Sequence, residues 1–188
     1  VLADAEAQAR VAAAEAGRGG IHVVRRPERG APAEALVAAS AAAQLIVLGN
    51  NGAADLAGSM LGTVGHRVAA HSRCPVVIVP SVAPVATGAG PVVVGLTPGR
   101  AGHTGCEALH FATEYANRHD WPIVEVGVED TGDLLSALGV LAEDAALFVL
   151  GCRHSDERWS ARLGPVPSAL LGRCPVPIAL VGAVDADA

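Results

Sequence analysis

Apolar residues fall along this chain in two alternating patterns. Short runs rich in Val, Ile and Leu, four to six residues long, lie at 21–24, 45–48, 74–79, 91–95, 123–128, 147–150 and 176–181. Between them run longer stretches in which small apolar residues recur every three or four positions. The short runs predict strands and the longer stretches helices. Residues 1–17 predict a helix with Leu2, Ala5, Ala9, Ala12 and Ala13 on a weak inner face, closed by Gly17, Gly19 and Gly20. Residues 33–43 predict a second, with Leu36 and Val37 inward, and 63–71 a third, with Val64 and Val68 one turn apart. Residues 103–117 carry Ala108, Phe111, Ala112 and Tyr115 at helical spacing, which reads as core packing; helices at 134–141 and 164–171 are shorter. Strands alternating with helices argue a parallel sheet of α/β type.

The pattern is used twice. Residues 21–49 realign without a gap on 123–151, an offset of 102. Arg73-Cys74-Pro75-Val76 returns as Arg173-Cys174-Pro175-Val176 at an offset of 100, which predicts two residues lost in between. A period this long means two related units rather than a solenoid. Residues 81–90, rich in Pro, Gly and Ala and without periodicity, read as a linker. The expected domains are therefore 1–80 and 91–188, each an open parallel sheet flanked by helices and each incomplete.

Composition narrows the function classes. The chain has 188 residues and is 51% hydrophobic but only 3% aromatic, so its apolar mass is small side chains suited to close helix–sheet layers. No apolar run approaches the ~20 residues a membrane helix needs, and the first residues lack a basic-then-apolar signal pattern. A net charge of −6 gives no general attraction to nucleic acid or anionic membrane. A cytoplasmic location is expected, and any phosphate site must be local and built from backbone. Cys74, Cys106, Cys152 and Cys174 form no CxxC pair and read as reduced thiols acting as small hydrophobes. His66 and His71 lie five apart, the wrong spacing for two ligands on one helix face, and no metal site is expected.

The candidate chemistry sits between the strand at 45–48 and the helix at 63–71. Gly49, two residues, Gly52, nine residues, then Gly62-Thr63 is a strand ending in glycines that faces a helix start. Glycines let backbone approach a ligand closely, and the first N–H groups of a helix are unpaired and favour an anion. Asn50 and Asn51 either hydrogen-bond a ligand or simply suit a turn, and Thr63 serves equally as helix N-cap. Asp55 is the only charge in the loop and reads as a solvated carboxylate or a partner for a phosphate-bound metal. No Lys or Arg lies inside the loop, unlike a P-loop. Arg25 and Arg26, at a strand end, reach a phosphate or stay solvated.

With both flanking strands, these residues resemble the universal stress protein family. Its nucleotide-binding members carry G-x2-G-x9-G-(S/T), which Gly49, Gly52, Gly62 and Thr63 match in full. The resemblance implies a five-stranded parallel sheet per domain in order 3-2-1-4-5, with ATP at the carboxyl ends of strands 1 and 4. It implies that Gly49, Asn50, Asn51, Gly52, Gly62, Thr63 and Val64 hold the nucleotide, with or without Mg2+. It also implies that last strands pair antiparallel, here Val76–Val79 and the run from Val176 to Val181, within one chain or in a homodimer; Pro177 lacks a donor, so pairing around it should be interrupted or face away.

The second copy departs from the pattern. His154 replaces the second glycine and Gly164-Pro165 the Gly-Thr, and Pro165 offers no N–H. Thr97, followed by Pro98, stands where the family has a nucleotide-contacting Asp. The second copy should bind phosphate weakly or not at all. The first copy shows no first strand; its opening helix resembles the family's second. The second copy lacks strand 2 and helix 2 between Asp120 and Ile123, so either its strand at 123–128 slides beside the strand at 91–95 or residues are missing there.

No catalytic constellation is visible: no GxSxG, no Cys–His pair at motif spacing, no paired carboxylates by the loop. The expected function is a non-enzymatic, ATP-binding protein of the stress response, with slow ATP hydrolysis left open. The alternative is a structural or dimerisation module of the same fold that binds no nucleotide. A third reading, an ATP-using ligase or hydrolase, lacks a catalytic set.

Overall fold

The computed structural model describes residues 7–8, 10–11, 14, 22–24, 26–49, 63–80, 90–96, 103–127, 144–153, 163, 167, 170 and 176–183. The chain divides into two units, Val1–Gly30 and Ala31–Ala188. In the first, Ala7, Gln8, Arg10, Val11 and Ala14 are helical, in keeping with the Ala/Glu-rich pattern. The strand expected at 21–24 does not form: His22, Val23 and Val24 carry no strand and Val24 is 68% exposed. An apolar run of four residues has the propensity for a strand, but a strand exists only through a partner's ladder.

The second unit holds α1 (Pro32–Ser40), β1 (Ile46–Gly49), α2 (Thr63–His71), β2 (Val76–Val79), β3 (Val92–Leu96), α3 (His103–His119), β4 (Ile123–Gly127), β5 (Leu147–Arg153) and β6 (Ile178–Ala183). Pro167 and Leu170 are also helical, within the short helix expected at 164–171. The helix expected at 134–141 and the linker at 81–89 lie outside the described residues.

All six strands lie in one sheet, ordered β1-β2-β6-β5-β3-β4. Every neighbouring pair is parallel except β2 and β6, which are antiparallel. The sheet is thus mixed, two parallel runs of opposite direction joined at that pair. β4 lies directly beside β3, with Val92 opposite Ile123 and Leu96 opposite Gly127, and no strand intervenes.

The expected loss of two residues between the copies is not seen in the strands. Pro75 gives its carbonyl to the Ile46 N–H at 3.0 Å, and Pro177 gives its own to the Phe148 N–H at 2.9 Å. Ile46 pairs with Val76, and Phe148 with Ile178. The offset is therefore 102 in both strands of each pair. The Arg-Cys-Pro-Val repeat is out of step with the ladder by two residues: Val76 of the first copy opens β2, whereas Val176 of the second stands two residues ahead of β6. The antiparallel ladder stops at Pro177: the register would set Val79 of β2 opposite it, and that pair does not form. Pro177 stands just before β6, whose ladder with β2 starts at Ile178.

Strand alternation sorts the core into two faces. One carries Ile46, Val76, Ile78, Ile178, Leu180, Phe148, Leu150 and Val93, packed with Val68 of α2, Ala33 of α1 and Leu170. The other carries Val92, Val94, Leu147, Val149, Ala179 and Val181 beneath α3, whose Ala108, Ala112 and Ala116 recur every fourth residue at 0–1% exposure. Alanine at each contact lets the helix lie close on the sheet, which explains a core so poor in aromatic residues.

Two polar devices fix the ends of helices. Ser40, 1% exposed, donates through Oγ to the Val37 carbonyl at 2.6 Å and accepts the Arg73 N–H at 2.9 Å, tying α1 to the turn after α2. At the end of α3, Asp120 adopts a left-handed φ of 57°, and the Trp121 N–H returns to the Ala116 carbonyl at 3.0 Å. This is a Schellman ending, with its apolar lock supplied by Trp121 against Tyr115, ring centroids 5.9 Å apart. Tyr115 and Phe111 are therefore half-buried at the margin of the core rather than inside it.

Candidate functional site

β1, α2 and β2 form a parallel strand–helix–strand crossover. Because β1 and β2 run the same way, α2 must run back against them. Its N-terminus consequently lies at the carboxyl end of β1, where Gly49 is the last strand residue, opposite Val79. A Cβ built on Gly49 meets nothing within 4 Å. Among the described residues, then, no crowding demands the glycine.

Thr63 opens α2, and its first turn contains no acidic residue, so no side-chain carboxylate competes with an incoming anion there. Val68, Ala69 and Ala70 are buried and hold the helix on the core, while Val64 is half-buried beside them. Of the seven residues the resemblance assigns to the nucleotide, the structure places Gly49 at the end of β1 and Thr63 and Val64 at the start of α2. Asn50, Asn51, Gly52 and Gly62 lie outside the described residues, as do Thr97, His154, Gly164 and Pro165 of the second copy.

His66 is an addition to the sequence candidates. It stands one turn into α2, and its position three residues after Thr63 is the signal that places it there. Burial, and secondarily His71, hold its imidazole below the ordinary 6.5. The ring therefore stays neutral at pH 7 and adds no positive charge to the helix start. The sign for stability follows: below pH 6.5 the unfolded chain takes up a proton that the folded chain resists, so stability falls as the pH falls. Chemical denaturation of the wild type between pH 7.5 and 5 should show this loss, and His66→Gln should flatten the dependence.

The other titratable groups point away from chemistry. Cys152 is buried on β5, and burial pushes its thiol up to about 12, so it is an inert core residue. Cys74 is buried and Cys106 exposed. Among the described residues no group of three or more His, Cys, Asp or Glu could hold a metal ion. Among them, too, no helix is long and apolar enough to cross a membrane.

The place where strand order reverses lies in the other half. β3 is flanked by β4 on one side and β5 on the other, and open α/β sheets bind ligands at the carboxyl ends of such strands. β1, by contrast, lies at the edge of the sheet among the described residues, with β2 beside it. The full glycine spacing and the reversal of strand order thus belong to different halves.

Residues 1–80 match the model of the Universal stress protein family. No curated protein matches the chain. Among solved structures, a Pseudomonas aeruginosa protein assigned to the universal stress proteins superposes with a TM-score of 0.69 at 14% identity, covering 94% of this chain and 78% of that one. A functionally unknown protein from the same organism gives 0.66 at 14% identity, over 94% and 77%. A universal stress protein from Archaeoglobus fulgidus gives 0.65 at 18% identity, over 97% and 77%. At these identities the likeness is one of fold. Residues 1–80 are thus similar to the universal stress protein family, and the chain as a whole carries the fold of solved universal stress proteins.

Proposed function

We propose that this protein binds an adenine nucleotide, ATP with or without Mg2+, through its first-half glycine loop, and acts in the cytoplasm as a non-enzymatic regulator in the stress response. The observation that carries this reading is the pairing, among the described residues, of an uncrowded Gly49 with an α2 start free of acidic residues. The β- and γ-phosphates would take the N–H groups of Gly62, Thr63 and Val64, and the strand-end glycines Gly49 and Gly52 would let the loop approach the ribose and α-phosphate. Asn50 and Asn51 would supply side-chain hydrogen bonds. With no cation in the loop, affinity rests on backbone donors and on Mg2+ for charge balance. Residues 1–80 and 91–188 would act as two related domains joined by the linker at 81–90, the second without nucleotide.

Titration calorimetry of ATP into the full chain tests this. The wild type should bind, and Gly62→Val should weaken binding by about tenfold or more by blocking the backbone's approach, with unfolding unchanged. A wild type that takes up no ATP would overturn the proposal. The position of β1 at the sheet edge, away from the reversal of strand order, favours a second reading. In it the loop is vestigial and assembly through sheet pairing, within the chain or in a homodimer, is the activity.

A further inference from the structure

α3 sorts its residues onto two sides. Ala108, Ala112 and Ala116 are buried against the sheet. Cys106, His110 and Glu114 each stand two residues earlier, about 200° round the helix. Arg118 continues the series, and all four are exposed. They follow one another at strict i,i+4 spacing, at which helical side chains meet. Arg118 Nη2 lies 3.9 Å from Glu114 Oε2, and Glu114 Oε1 lies 3.8 Å from His110 Nε2. One turn further toward the start of the helix, the series ends on the Cys106 thiol. The sequence alone reads Cys106 as a small hydrophobe like Cys74 and Cys152, but those two are buried and this one is exposed.

A thiol and an imidazole one helical turn apart can grip one cation between them. Their Cβ atoms stand about 5–6 Å apart on a helix. A cation about 2.3 Å from a sulfur and about 2.0 Å from a ring nitrogen spans that gap. The next carboxylate supplies what metal-bound histidines ordinarily have. Glu114 faces Nε2, which leaves Nδ1 for the metal, and Arg118 steadies the other carboxylate oxygen. Thiolate and imidazole suit Zn2+, whereas Mg2+ and Ca2+ take oxygen ligands.

We propose that Cys106 and His110 form a surface site for a thiophilic divalent cation, best fitted by Zn2+, with Glu114 as the positioning residue. Binding forms the sulfur–metal bond and releases the thiol proton to solvent. Two protein ligands leave the remaining positions to water, so the site is open and its cation exchangeable. This agrees with the lack, among the described residues, of any group of three or more metal-ligating side chains. The inference stands apart from nucleotide binding and rests on α3 alone.

Alkylation of Cys106 by iodoacetamide in the full chain, read by peptide mass spectrometry, tests it with Zn2+ as the probe. Excess Zn2+ should slow the reaction by about tenfold or more, because the free thiolate is the nucleophile. A chelator should restore the rate, and Mg2+ at the same concentration should leave it unchanged. His110→Gln should remove most of the Zn2+ protection, and Glu114→Gln should reduce it by about threefold or more. The two side chains are 73% and 56% exposed, so both variants should fold and their Cys106 should still react without metal. No slowing by Zn2+, equal slowing by Mg2+, or full protection retained in His110→Gln would each overturn the site. Unchanged protection in Glu114→Gln would overturn the part given to the carboxylate.

Discussion

Replacing Gly90 by Ala destabilises the protein by about 3 kcal/mol or more, a loss of roughly 6–12 °C in Tm for a chain of this size. Gly90 stands two residues before β3 and lies against Asp144 and Ala146, just ahead of β5. A Cβ there would overlap the carbonyl oxygen of Asp144 and stand 2.9 Å from the Ala146 nitrogen. Both obstacles are backbone, so no side chain can swing aside. The Ala146 N–H donates to the Pro91 carbonyl at 3.0 Å, and this bond fixes the register in which β3 meets β5. Making room would break that bond or push apart adjacent strands of the core. Gly105 provides the contrast. It lies in α3 with nothing within 4 Å of a built Cβ. Gly105→Ala should be neutral or stabilising by up to about 1 kcal/mol, since Ala is the better helix former. Thermal and denaturant unfolding of the two variants side by side checks the pair. Equal stabilities would mean that the approach of Gly90 to Asp144 is not a constraint in solution.

The crowding at Gly90 was not legible in the sequence, and the reason is general. Position 90 ends a stretch that reads as linker, where glycine needs no explanation; its role arises only when β5, more than fifty residues on, is set beside it. Elements with strong periodicity were readable because their information is local. The bounds of α2 come out as the spacing of Val64 and Val68 predicts, and β4 forms where the alternation at 123–128 places it. The run at 21–24 shows the limit of local information, because its residues are strand-like and nothing within four residues says whether a ladder awaits them. The repeat shows another. Arg-Cys-Pro-Val is the more conspicuous match, but the ladder's hydrogen bonds fall on Pro75, inside that match, and on Pro177, two residues past its second proline. Similar letters marked a register two residues out of step with the ladder. At the candidate site, the glycine spacing announced a phosphate loop, whereas the edge position of β1 depends on which strands meet in space.

Phe148→Ala should cost about 3–5 kcal/mol, and its counterpart Ile46→Ala about 2 kcal/mol. The two residues occupy equivalent places on the same face of the sheet, and each donates its N–H to a proline carbonyl. Their surroundings differ. Phe148 is 0% exposed and lies between two strands, with Val93 opposite on β3 and Ile178 opposite on β6. Ile46 is 7% exposed and, among the described residues, has a sheet neighbour on one side only, Val76 of β2. Removing the phenyl ring leaves a cavity walled by strands that are themselves pinned on both sides, so it cannot collapse, and the cavity term adds to the lost transfer energy. At Ile46 the edge strand is free to settle inward, and the cost stays near that of transfer alone. Urea unfolding of both variants measures the gap, which should be at least about 1 kcal/mol in favour of Ile46→Ala. The difference between the two variants thus reads out whether β1 is behaving as an edge strand or as an interior one.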